Sequence, residues 1–107
     1  AMDLMAYVKL IDQMPTREDI MTDPKNAKIP TSNGAVVMVV FRSLASMDKD
    51  YINPFMDYLV RLEPEAQAMF ANGVRAKGYH AQSLVMTNKK FTEWSMNNQH
   101  LYQADKV

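Results

Sequence analysis

Five prolines, Pro15, Pro24, Pro30, Pro54 and Pro64, partition this chain before any other feature does. Each fixes its own φ, lacks an N–H and pushes the preceding residue toward extended backbone, so a helix tolerates one only in its first turn. The stretches between them are apolar at helical spacing. Leu4, Tyr7, Val8 and Ile11 form one stripe that is expected to be buried, with Met14-Pro15 closing a first helix over residues 3–13. Thr16, followed three residues later by Asp19, resembles a capping box, and Ile20 and Met21 then supply apolar contacts for a short helical turn. Asp23-Pro24 and Ile29-Pro30 bracket a loop.

Residues 34–41 are β-branched at Val36, Val37, Val39 and Val40, which suits a buried strand as well as a helix. The helix is favoured. Thr31, Ser32 and Asn33 offer N-caps, and Val37, Val40, Phe41 and Leu44 continue past Arg42 at a period of 3.6 without a turn signal. A helix apolar on nearly every side is expected at the centre of the fold. Asp50 is placed to cap the next helix, over residues 51–62, where Ile52, Phe55, Met56 and Leu59 share a stripe and Pro54 lies in the first turn. Pro64 suits a first helical position. Glu63 and Glu65 favour the positive end of that helix, Arg75 and Lys77 its negative end, and Gly78 is placed to follow the C-cap. A polar connection runs from Tyr79 to Asn88, and Phe91, Trp94, Asn98, Leu101 and Tyr102 mark a final amphipathic helix. The expected fold is all-α: one compact bundle of about five helices with short connections, over residues 3–104. Ala1 ahead of Met2 reads as a cloning remnant.

With 107 residues, 48% hydrophobic, the chain supports one core but not separate cofactor and substrate domains. It has no cysteine, which excludes disulfide scaffolds, thiolate metal sites and cysteine nucleophiles. The longest apolar run, Ala35 to Phe41, is too short to span a bilayer, and no basic-then-apolar leader is visible, so a cytoplasmic location and no membrane partner are expected. Twelve basic residues balance twelve acidic ones, unlike a strongly cationic duplex-DNA reader. The balance is uneven, about −3 over residues 1–65 and +3 over 66–107. Arg75, Lys77, Lys89 and Lys90 fall in a stretch without acids, a solvated face or a cationic surface for a neighbouring domain or a nucleic-acid backbone.

Catalytic signatures are missing. His80 and His100 stand apart with no zinc-helix spacing, and Gly34, Gly73 and Gly78 build neither G-x-x-x-x-G-K-[ST] nor G-x-G-x-x-G. No metal or cofactor is expected in this chain. The neighbouring carboxylates Glu18 with Asp19 and Glu63 with Glu65 are better explained as helix-start residues than as an acid–base pair. Arg61 and Glu65 are spaced to brace the corner at Pro64 as an ion pair, or else Arg61 reaches outward to a phosphate or a partner carboxylate. Ten methionines suit core filling or a groove for partner helices. Tyr79, Phe91, Trp94 and Tyr102 near Lys89 and Lys90 suit a core, or a platform for single-stranded bases.

The stretches MPTREDIMTDPKNAKIP (Met14 to Pro30), MDYLVRLEPEAQAMF (Met56 to Phe70) and FTEWS (Phe91 to Ser95), in that order, resemble the C-terminal region of MoxR-like AAA ATPases of phages and prophages. Tyr58, Arg61, Leu62, Pro64, Glu65 and Trp94 carry the later part, with the proline displaced by one position. The resemblance spans residues 7–102 and rests on packing and corner motifs. It implies a non-catalytic helical domain that packs on the ATPase core of the same polypeptide, or on an adjacent subunit of a homo-oligomeric ring, and couples ATP turnover to a protein client. ATP and Mg would belong to the parent protein, whose nucleotide-binding residues lie upstream of Met2. The candidate interaction residues are Arg17, Arg61, Glu65, Arg75, Lys77, Lys89, Lys90 and Trp94. The alternative is a stand-alone helical phage module, a regulator or adaptor that touches single-stranded nucleic acid.

Overall fold

Side-chain caps decide where most helices begin in the structure, a computed structural model describing residues 3–76, 79 and 81–102. The Asp3 carboxylate accepts the Ala6 N–H at 2.7 Å and opens α1 (Leu4–Gln13). Thr16 and Asp19 form the reciprocal capping box of α2 (Arg17–Thr22), each side chain accepting the other's backbone N–H. Ser32 caps α3 (Asn33–Ala45), so the β-branched stretch is helix and not strand. α4 (Ile52–Leu59) has no side-chain cap of its own. The expected Asp50 does not serve: Asp48 accepts the N–H groups of Asp50 and Tyr51, both at 2.9 Å, because its carboxylate lies one turn back from the helix start. Pro64 is the first residue of α5 (Pro64–Arg75), with Glu65 in the first turn and Arg75 in the last. α6 (Gln82–Met86) and α7 (Lys89–Asn97) follow, α7 capped by Asn88, and a 3-10 turn closes at Gln99–Leu101.

The bundle is all-helical, with no strand among the described residues and five helices of eight residues or more. Several expected boundaries move. α4 stops at Leu59 because Arg61 and Leu62 turn their N–H groups to carbonyls three residues back, tightening the chain into the Pro64 corner. α5 ends at Arg75, since Ala76 is extended at ψ 144°; Lys77 and Gly78 lie outside the described residues. The connection after Tyr79 holds a helix, α6, whose Val85 is fully buried. The final helix breaks at Asn98, whose side-chain amide donates to the Trp94 carbonyl at 2.7 Å and so ends the ladder.

α3 packs on α5 and α1, α2 on α4, and α7 on α4 and α6. α3 is one-sided rather than buried all round: Ala35, Val39, Val40, Ser43 and Leu44 face inward while Phe41 is 53% exposed. The interior is built instead on aromatic rings. Tyr51, Phe55, Phe70, Phe91, Trp94 and Tyr102 form a continuous chain with centroids 5.0–6.1 Å apart, tying α4 to α5 and α7. At one point α3 and α5 approach so closely that a Cβ on Gly73 would lie 2.5 Å from a methyl of Leu44.

Candidate functional site

α1 carries apolar residues at helical spacing but buries none of them fully. Its C-terminal half is anchored: Leu10 touches the start of α3 at Gly34, Ile11 packs on the core, and the Gln13 side-chain oxygen Oε1 accepts from the Thr31 and Ser32 N–H groups. Its N-terminal half is not covered. Leu4 is 78% exposed, Met5 66%, Tyr7 46% and Val8 42%, so the stripe expected to enter the core faces outward. The reason is geometric: α3 meets α1 at Leu10, against Gly34, and Ile11 packs on the core, while among the described residues the turns before them stay exposed. Phe41, two turns along α3 from Gly34 and on the same side, adds a further exposed ring.

Ile11 is also one wall of a cavity of about 490 Å³ between the end of α1, α2, α3 and Tyr51. Met14, Ile20 and Val39 give it apolar surface, and Arg17 and Arg42 stand among its lining residues. Arg17 is held in place. Its guanidinium stacks 4.4 Å from the Tyr51 ring centroid and donates to the Ser46 carbonyl and the Asp48 carboxylate. Burial opposes ionisation of Asp48, yet the Tyr51 and Asp50 N–H groups and then Arg17 outweigh it and draw the pKa below the ordinary 3.8. The Tyr51 hydroxyl shares a 2.8 Å hydrogen bond with Ser43, and burial pushes its pKa up.

Arg61, expected to pair with Glu65 or reach outward, does neither. It donates to the carbonyls of Pro24 and Ala27, at 2.7 and 2.8 Å, and its guanidinium lies 5.6 Å from the Tyr58 ring centroid. The Tyr58 hydroxyl donates to the next carbonyl, Lys28, at 2.8 Å, and burial pushes its pKa up to about 12. Together they clamp the proline loop from below, so the corner motif is structural. Glu65 is exposed and lines a separate cleft of about 420 Å³ with Asn72 and His100.

The cationic set divides. Arg75 donates to the Ala71 carbonyl and the Ser95 hydroxyl and lies 4.7 Å from the Tyr102 ring centroid, half-buried. Lys90 pairs with Asp57 at 2.9 Å, and Lys89 is exposed without a partner among the described residues. Lys77 and His80 lie outside the described residues. Trp94 is 7% exposed; its indole N–H donates to Gln67 at 2.8 Å, and Gln67 in turn donates to the Leu62 carbonyl. Phe91 and Tyr102 are equally buried, so the aromatic platform suggested for single-stranded bases is core, where these rings stack on one another. Met14, Met47 and Met56 fill the core while Met5, Met86 and Met96 are exposed.

Sequence reasoning missed Arg42, Tyr51 and Asp48 as site-forming residues. The Arg17–Asp48 pair spans 31 positions and leaves no periodic trace. Among the described residues no group of three or more His, Asp or Glu could hold a metal ion, and no helix is long and apolar enough to cross a membrane. Comparison with family models, curated proteins and solved structures found no match to this chain.

Proposed function

We propose that this chain is a non-catalytic helical docking domain that seats on a protein partner through the apolar face of α1. The observation that carries the reading is the outward stripe of Leu4, Met5, Tyr7 and Val8. Exposed apolar residues are ordinary when scattered singly, but a contiguous patch marks a contact surface. Covering it removes apolar area from water at roughly 25 cal/mol per Å². The resemblance to MoxR-like AAA ATPases supplies the partner: the ATPase core of the same polypeptide, or an adjacent subunit of its ring. The opposite charges of the two parts of the chain, −3 and +3, suit a head-to-tail contact of that kind. ATP and Mg are bound by the core, and the domain passes the state of the ring to a protein client.

Translating the reading frame upstream of Met2 tests the assignment first. A strand followed by G-x-x-x-x-G-K-[ST] is expected, and an in-frame stop codon in its place overturns the ATPase reading. Amide exchange then tests the docking face. Residues 4–11 should exchange about tenfold more slowly in the intact polypeptide than in the 107-residue chain, and equal rates overturn the docking. Val8→Glu, at an exposed position, should abolish that protection while changing stability by no more than about 0.5 kcal/mol.

A further inference from the structure

The cavity beside Arg42 has a composition that the docking of α1 does not use. Ile11, Met14, Ile20 and Val39 are among its lining residues, no acidic residue is, and two arginines, Arg17 and Arg42, are. Their states differ. Arg17 is fixed by the Tyr51 ring and neutralised by Asp48. The Arg42 guanidinium, in the last turn of α3, has no hydrogen-bond or ion-pair partner among the described residues, its carbonyl alone accepting from Ser46. The volume, about 490 Å³, falls within the range of small-molecule pockets, which combine apolar walls with a few polar groups that set orientation. A neutral apolar molecule would satisfy the walls and leave Arg42 unpaired. A bare phosphate would satisfy Arg42 and leave the walls wet. A planar carboxylate on an apolar body answers both, because guanidinium and carboxylate match as a two-bond fork.

We propose that this cavity is a binding site for a small monoanion with an apolar body, of the class of medium-chain carboxylates, with Arg42 as the anion-binding residue. The body lies along Ile11 and Met14, over the buried Ile20 and Val39, and Thr16 and Ser46 are among the lining residues of the same site. The site is independent of any protein partner.

Titration of the 107-residue chain with octanoate and with its neutral counterpart 1-octanol, followed by amide NMR, tests the assignment. Octanoate should produce saturable shifts centred on residues 14–20 and 39–46 and bind about fivefold more tightly than 1-octanol. Arg42→Gln should reduce that preference to less than about twofold. Arg42 is exposed and makes no bond that the fold needs, so the variant remains folded. Ala45→Leu, which fills the rim from an exposed helical position, should weaken both ligands together. Absence of saturable shifts at millimolar octanoate overturns the proposal. So do shifts centred on Leu4 to Val8, equal affinity for octanoate and 1-octanol, or a preference that survives Arg42→Gln.

Discussion

Arg61 concentrates what single residues do in this protein. One guanidinium nitrogen serves two carbonyls, of Pro24 and Ala27, in a loop whose prolines prevent it from pairing its own backbone regularly. Removing it leaves those carbonyls to water and leaves the Tyr58 hydrogen bond to the Lys28 carbonyl to hold the loop. Arg61→Ala should therefore cost about 1.5 kcal/mol in urea-induced unfolding, reduced from a fully buried charged bond because the side chain is partly solvated. Glu65→Ala, four residues on and without a side-chain partner among the described residues, should stay within about 0.5 kcal/mol. Equal effects for the two would restore the ion pair that the spacing suggests and the geometry does not contain. Trp94 follows the same logic: its indole N–H ends a chain through Gln67 to the Leu62 carbonyl, so it spends its polar handle inside the core.

Among elements, the contact of α3 with α5 and that of α3 with α1 are both made over a glycine, and the two glycines should respond oppositely to the same change. Gly73 faces Leu44 so closely that an added Cβ falls 2.5 Å from its methyl, and Leu44 is itself buried, with little room to swing away. Gly73→Ala gains helix propensity of about 1 kcal/mol but overpacks by more, for a net loss of about 1 kcal/mol. At Gly34 the nearest atom to an added Cβ is a Leu10 methyl at 3.4 Å, an ordinary contact. Gly34→Ala should stabilise by about 0.5 kcal/mol through loss of backbone freedom in the unfolded chain. Urea unfolding of both, with Leu44→Ala added to relieve the Gly73 clash, reads the sign directly: in the Leu44→Ala background Gly73→Ala should no longer destabilise. α1 differs from the other helices of eight residues or more in burying no residue fully.

For the whole molecule, titration sets the stability window. Asp48 ionises below its ordinary 3.8 in the folded chain, so between those values the unfolded state binds more protons and stability falls as pH drops. Asp19, held by the Thr16 backbone N–H and hydroxyl, acts in the same direction. Tyr58 and Tyr79 work at the other end. Burial raises each from 10.0 to about 12, so their contribution is complete below pH 10.0 and is lost as pH climbs toward 12. Thermal melts should show a plateau from about pH 5 to 9 with losses on both sides. Asp48→Asn should lower the plateau and flatten the acid limb, because the variant no longer gains from ionisation; an unchanged acid limb would sink that account.

Several helix starts were legible because their causes are local. A capping box at Thr16 and Asp19, a proline at the first position of α5 and a Ser one residue ahead of α3 act within four residues of chain; the Asn88 cap of α7 is equally local but was not read. The all-helical class, including the β-branched α3, followed from the same short-range periodicity. Burial was a different matter. Whether a stripe is covered depends on which helix the loops bring against it, and so Leu4, Tyr7 and Val8 read as core but face solvent, while the Tyr79–Asn88 connection read as polar but buries Val85. The fate of the cations was equally non-local: Arg17 meets Asp48 and Arg61 meets the proline loop across some thirty residues of chain, distances over which sequence carries no period. By itself the sequence determined the helical class and the starts of α1, α2, α3 and α5, since backbone hydrogen bonds and caps span one turn, while the ends of α4, α5 and α7 and the existence of α6 were not read from it. Only the tertiary structure decided which faces meet, and therefore that, among the described residues, α1 keeps an open apolar surface and the Arg42 guanidinium no partner beside a cavity, because contact between elements is set by packing among distant segments.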